Sequence, residues 1–369
     1  MKIGIIGAGF MARTHLAGWR AIGEEVAGVL GYQDPTTEAL IRDEGLRSFA
    51  DVGVMAQNCD IIDICSPTFT HKEYVFAAAE AGKAIFCEKP LALSLEDGRE
   101  MVEAATKAGV PFGVGQVLRF FPEYARVAAT AHSGELGELA VLRFSRGAFA
   151  PKSNWYLDES RSGGVILDLM IHDLDFARYV AGEVSRVYAR VDRGVVRGAA
   201  AGGLPAGGAA AGVPPGGGAA GGDGAVMPGP HAYAILTHAS GAITHVEGSW
   251  RLPQPEFRTS FEIAGSKALI TFDSEASDAL VPHIGPPVGG DAGDTGTAEK
   301  EPDVPVAASP VSEDPYSKEL EAFRDAVAAG EAPPVPGEEG VRALQIALAA
   351  IESDRTGEPV EITPLEAHR

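Results

Sequence analysis

The order of this sequence predicts an α/β protein in two parts: a doubly wound parallel sheet first, then an α+β domain built on a large, mostly antiparallel open sheet. Three observations lead there. From Met1 to about Gln116, short apolar runs alternate with longer helix-forming segments, the rhythm of parallel strands covered by helices on both faces. After Arg119 apolar and polar residues alternate, the pattern of antiparallel strands with one covered face. The length, 369 residues, suits two domains.

In the first part, Ile3–Ile6, Val26–Leu30, Ile61–Cys65, Ala84–Cys87 and Phe112–Val114 are each too short for a helix and read as strands. Between them, His71–Gly82 and Leu95–Gly109 are rich in Ala and Glu and close on a glycine suited to a helix C-cap. In the second part, Leu139–Arg146, Val184–Val191, Ala232–His238, Ile243–Arg251, Ser260–Ala264 and Ala268–Phe272 read as strands. Helices are expected at about Leu167–Val180, Tyr316–Ala329 and Val341–Ser353, the last with Val341, Leu344, Leu348 and Ile351 as one apolar stripe. The division falls at 1–119 and 120–369. Gly198–Gly224, in which 24 of 27 residues are Gly, Ala or Pro, has almost nothing to bury and reads as a surface insertion. Pro282–Pro315 reads as a second long loop.

Composition narrows the function. Acidic residues number 51 and basic ones 30, a formal charge of −21, which argues against a nucleic acid or an anionic membrane as partner. Hydrophobic residues at 45% and charged ones at 22% rule out wholesale disorder. Cys59, Cys65 and Cys87 form no C-x-x-C pair and have no histidine at metal-ligand spacing, so neither a disulfide framework nor a metal site is expected. The first strand-like run begins at Lys2, with no room for a secretory leader, and no apolar stretch approaches membrane-helix length. A soluble cytoplasmic protein is expected.

The first run ends in Gly7-Ala8-Gly9-Phe10-Met11-Ala12, a G-x-G-x-x-A that follows a strand and opens a helix. Gly7 permits the tight turn, Gly9 lets a diphosphate approach the backbone, and Ala12 lets helix and strand pack closely. The diphosphate would sit on the positive end of the helix dipole. The acid that usually binds the adenosine ribose, roughly 20 residues on, is replaced by Gly31, with Asp34 three residues late. No arginine marks a 2′-phosphate, so the cofactor reads as NAD or NADP. Ser66, Pro67, Thr68 and His71, then Glu88 and Lys89, then Gln116 and Arg119, follow strand ends, where open α/β sheets bind ligands. Taken singly, each also fits a plain strand-ending turn.

After Gly163-Gly164, Asp168, His172 and Asp175 are spaced i, i+4 and i+7, on one helical face. That spacing also suits the solvated face of an amphipathic helix. Next to Lys89, however, it suits alcohol oxidation: a lysine polarises the hydroxyl, a histidine takes its proton, and a carboxylate orients the histidine. Asn154, Trp155, Tyr156, Arg161 and Asp175, with Arg119, are candidate substrate contacts.

These residues together resemble the Gfo/Idh/MocA family, named for glucose-fructose oxidoreductase and inositol dehydrogenase. The resemblance rests on Gly7–Ala12, Glu88-Lys89-Pro90, Arg119-Phe120 with Pro122, Gly163-Gly164 with Asp168 and His172, and the closing stretch from Tyr316 to Val360. It implies a Rossmann domain binding NAD(P), a second domain whose open sheet serves as a homo-oligomer interface, and hydride transfer to or from a sugar, cyclitol or related polyol. The catalytic lysine falls on Lys89, the aspartate and histidine on Asp168 and His172. Departures from the family pattern are Gly31, Thr68, Gln116 and Leu118. The family also admits NAD(P)-binding regulators without turnover and NAD-dependent glycosidases.

Overall fold

A computed structural model describes residues 1–149, 151, 154–193, 229–251, 257–276, 280–284, 314–363 and 365. The Gly198–Gly224 segment and most of Pro282–Pro315 lie outside these residues, as does the side chain of Asn154.

The first sheet is parallel, with strands β1 (Lys2–Ile6), β2 (Glu25–Leu30), β3 (Ile61–Ile64), β4 (Ala84–Glu88) and β5 (Phe112–Gly115) in the order β2-β1-β3-β4-β5. The order reverses between β1 and β3, which opens a crevice beyond their carboxyl ends. Helices α1 (Phe10–Ala21), α2 (Pro35–Glu44), α3 (Val52–Ala56), α4 (His71–Glu80) and α5 (Leu95–Ala108) connect them. Local chemistry fixes their ends. Asp34, Asp51 and Ser94 accept backbone N–H bonds at the starts of α2, α3 and α5, and Gly45 and Gly109 close α2 and α5 in the left-handed conformation.

After α6 (Pro122–His132), β6 (Leu139–Ala148) begins the second sheet. Two short turns, α7 (Asn154–Leu157) and α8 (Glu159–Ser162), lead to a π segment, Ile166–Met170, that runs into α9 (Ile171–Ala181). The sequence marks this helix but not its π turn. β7 (Val184–Asp192), β8 (His231–His238), β9 (Ile243–Ser249), β10 (Phe257–Gly265), β11 (Ala268–Asp273) and β12 (Leu280–Ile284) follow, then α10 (Pro315–Ala329), α11 (Gly337–Thr356) and β13 (Val360–Glu361). The sheet order is β12-β11-β10-β6-β9-β8-β7-β13, and every pairing is antiparallel except β6 with β9. Strand β12 corrects the loop reading at Pro282, because residues 282–284 pair with β11.

Helix α11 lies between α5 and β7. Its core face is Val341, Leu344, Ala347 and Ala350, with Leu348 and Ile351 at the edge of the stripe. Helix α10 returns to the first sheet. Phe323 meets Phe86 of β4 at 5.1 Å between ring centroids, and Val114 N donates to Val335 O at 2.9 Å. No helix among the described residues is long and apolar enough to cross a membrane.

Candidate active site

A cleft of about 420 Å³ lies at the carboxyl ends of β1, β3 and β4, facing the π segment and α9. Gly7, Gly9, Phe10, Met11, Gly31, Asp34, Ser66, Pro67, Thr68, Glu88, Lys89, Trp155, Tyr156, Asp168 and His172 all line it. The fold thus brings together residues far apart in the chain, from Gly7 to Tyr316.

Gly7 has φ +112°, and a Cβ there would lie 2.7 Å from the Cys65 carbonyl oxygen. Only glycine fits this turn. At Gly9, in contrast, a Cβ would meet nothing within 4 Å, so the space above the loop is open. Gly9 caps α1 without a side-chain bond, and the first turn carries no acid, so free N–H groups of the helix end face the cleft. This arrangement fits a dinucleotide diphosphate. Ala12 is fully buried beneath it, packing α1 on the sheet.

At the end of β2, a Cβ on Gly31 would fall 2.6 Å from Thr37 Oγ1, so an acid cannot stand there without displacing Thr37. Asp34 caps α2 by accepting from Thr37 N at 2.8 Å, and it also lines the cleft. After β3, Ser66 and Thr70 share a hydrogen bond at 2.7 Å. His71 does not line the cleft. Its ring lies behind the wall, with Nε2 2.9 Å from Ser66 O and Nδ1 3.2 Å from Leu91 O, where it braces the turn.

Lys89 Nζ donates to the Asp168 main-chain oxygen at 2.8 Å and lies 3.6 Å from Asp168 Oδ1. Burial raises the Asp168 pKa, only partly offset by the Lys89 ammonium. His172 is pushed well below the ordinary histidine range by burial and by the charge of Lys89, so its ring is neutral at neutral pH. Its Nδ1 is buried without a hydrogen-bond partner among the described residues. Asp168 therefore holds Lys89 rather than orienting His172, a correction to the role read from the i, i+4 spacing. Asp168 and His172 both line the cleft, whereas Asp175 does not.

Asp175 faces away from the cleft and accepts two hydrogen bonds from Arg119, at 2.8 and 2.6 Å. Arg119 also donates to Glu339 at 2.9 Å. Neither lines the cleft, so the two candidate substrate contacts are placed as a buried ion pair tying α9 to α11. Gln116 is buried behind Val117, and neither its amide nitrogen nor its amide oxygen has a partner among the described residues. Trp155 stacks on Tyr156 at 3.8 Å and meets Phe69 at 6.3 Å, while Arg161 lies 4.1 Å above the Phe69 ring.

Sequence reading missed Tyr316, which lines the cleft from α10 and whose phenol burial pushes up to about 12. It also missed His15. On α1, Ala12, His15, Leu16 and Trp19 form one buried stripe. A histidine on that stripe, with Asp63 inside the apolar strand Ile61–Ile64, was the available signal.

Residues 1–116 match the oxidoreductase family with an NAD-binding Rossmann fold, and residues 124–271 match the GFO/IDH/MocA C-terminal domain. The chain is 30% identical over 364 residues to myo-inositol 2-dehydrogenase of Thermotoga maritima, covering 96% of each chain. It is 28% identical to 1,5-anhydro-D-fructose reductase of Ensifer adhaerens, covering 97% of this chain and 98% of the other. In fold it is similar to a levoglucosan dehydrogenase in complex with NADH and L-sorbose, with a TM-score of 0.74, 22% identity and 99% of each chain covered.

Proposed function

Since the chain belongs to the Gfo/Idh/MocA family of NAD-binding oxidoreductases, we propose that it moves a hydride between NAD and a secondary hydroxyl of a sugar, cyclitol or related polyol. The observation that carries this reading is the meeting of Lys89, Asp168 and His172 in the cleft that the glycine loop opens. The relatives named above act on such compounds.

The dinucleotide supplies the hydride acceptor in oxidation and the donor in reduction, and Gly7, Gly9 and the α1 terminus are built to hold it. Lys89 holds the substrate oxygen and stabilises the negative charge that grows on it. His172, neutral at rest, takes the hydroxyl proton in oxidation and returns it in reduction. Asp168 fixes the lysine head through its main-chain oxygen and carboxylate. Trp155 and Tyr156 offer ring faces to the apolar side of a polyol ring. In this reading residues 1–119 hold the cofactor, and residues 120–369 supply His172, the aromatic wall and a sheet that pairs with a second copy.

Fluorescence titration with NADH and NADPH, followed by turnover of the oxidised cofactor on a panel of sugars and inositols, tests the proposal. Net reduction of cofactor is expected. Binding without net reduction would favour a regulator or a cofactor-recycling glycosidase. Lys89→Ala should keep cofactor affinity while kcat falls about a hundredfold or more.

A further inference from the structure

We propose that His15 is a positioning residue for Lys89, linking Glu88 to Asp63 beneath the cleft and so fixing the turn from which Lys89 reaches the substrate. The inference rests on Lys89 acting at the reacting hydroxyl. His15 Nδ1 lies 2.9 Å from Asp63 Oδ2, and Nε2 lies 3.0 Å from Glu88 Oε1. The other Glu88 oxygen accepts from the Lys89 backbone N–H at 3.0 Å. Both oxygens of Glu88 are thereby engaged, one by the histidine and one by the lysine's own main chain. Asp63 is held in turn by the Trp19 indole N–H at 2.7 Å.

His15 and Asp63 are fully buried and Glu88 is 5% exposed. Packing alone does not call for such a chain, because apolar side chains of similar volume would fill the space with no desolvation penalty. What the chain provides is a rigid, directional connection between strand β3, helix α1 and the end of β4. Both nitrogens face carboxylate oxygens, so the ring donates from both and carries charge. Burial opposes that charge, but Asp63, with Cys65 beside it, overcomes the penalty and holds His15 well above the ordinary histidine range. The other titratable groups near the ring are Glu88 of β4 and, from α10, Tyr316 and Glu319. His15, Asp63 and Cys65 lie within 4.8 Å of one another, a spacing a metal could use, yet a ring donating from both nitrogens has no lone pair for a cation.

Three variants and one spectrum decide it. His15→Phe keeps a ring and loses both bonds. His15→Gln places an amide N–H where Nε2 faced Glu88, and His15→Asn places one where Nδ1 faced Asp63. Expected are kcat losses of about tenfold to a hundredfold in the Phe and Asn variants, which lose the bond to Glu88, with unchanged NADH affinity, and a clearly smaller loss in Gln, which keeps that bond but not the one to Asp63. Equal losses in Gln and Asn, or full turnover in Phe, would overturn the link. In wild-type protein labelled with ¹⁵N-histidine, His15 should carry protons on both ring nitrogens at about pH 8. A neutral ring there overturns it even if no variant folds. Lys89→Ala separates this inference from the one beneath it. Full turnover in that variant removes the lysine from the chemistry, whereas a slow Lys89→Ala beside a fast His15→Phe removes only the link.

Discussion

At the scale of the residue, the proposed chemistry turns on keeping one base neutral beside one cation. His172 and Lys89 both line the cleft, and burial first, then the ammonium, makes a proton on the imidazole costly. A depressed pKa means that the ring stays deprotonated as pH falls through 6.5, the ordinary histidine value, and takes up its proton only in more acid solution. The rate of alcohol oxidation should therefore hold steady through pH 6.5 and decline below it. Rate profiles against pH check this, and an acid limb centred at 6.5 or above would contradict it. Lys89, Asp168 and His172 were all legible in the sequence, since strand-end position and helical spacing are local properties. The partner of Asp168 was not, because Lys89 lies 79 positions away in the chain and only tertiary packing brings the two together.

At the scale of the element, two junctions behave differently from their sequence reading. Arg119 and Asp175 form a bidentate pair in which the aspartate is fully buried. Arg119→Met should cost about 3–5 kcal/mol of stability in denaturant unfolding, because an uncompensated carboxylate stays behind. The KM for substrate should change little, and a large rise in KM without a stability loss would return Arg119 to substrate binding. The turn from β2 into α2 is the second case. Thr37 occupies the space a side chain at position 31 would need, and Asp34 is already spent as the α2 cap. Gly31→Asp should destabilise the protein by about 1–3 kcal/mol without tightening NADH binding, and adding Thr37→Ala should recover stability. Tighter NADH binding by the single variant would show that the junction yields. The glycine at position 31 was plain in the sequence, but its reason lies in a contact with α2.

At the scale of the whole molecule, the chain leaves its first sheet after β5 and comes back. Leu320 and Phe323 of α10 join the cluster around β1 and α1, so the first sheet is completed by residues some 200 positions beyond its last strand. The second sheet leaves Tyr233, Ile235 and Ile243 exposed on one side of β8 and β9. An apolar patch on an open sheet is the kind of surface another copy covers, and we propose a homo-oligomer formed there. Ile235→Lys should reduce the assembled mass measured by light scattering, and an unchanged mass would place the interface elsewhere.

Local sequence carries the fold class, all of the strands except β12 and β13, the phosphate-binding loop and the residues available for chemistry. Each of these depends on near neighbours: glycines that permit a turn, apolar periodicity, a cap one turn from its helix. Tertiary structure alone decided which polar residues face the cleft and which face each other. His15 with Asp63 and Glu88, Arg119 with Asp175 and Glu339, and Lys89 with Asp168 are all pairings across the chain. A carboxylate's partner is set by burial and by which element happens to pack opposite it, and that information is distributed over the whole fold.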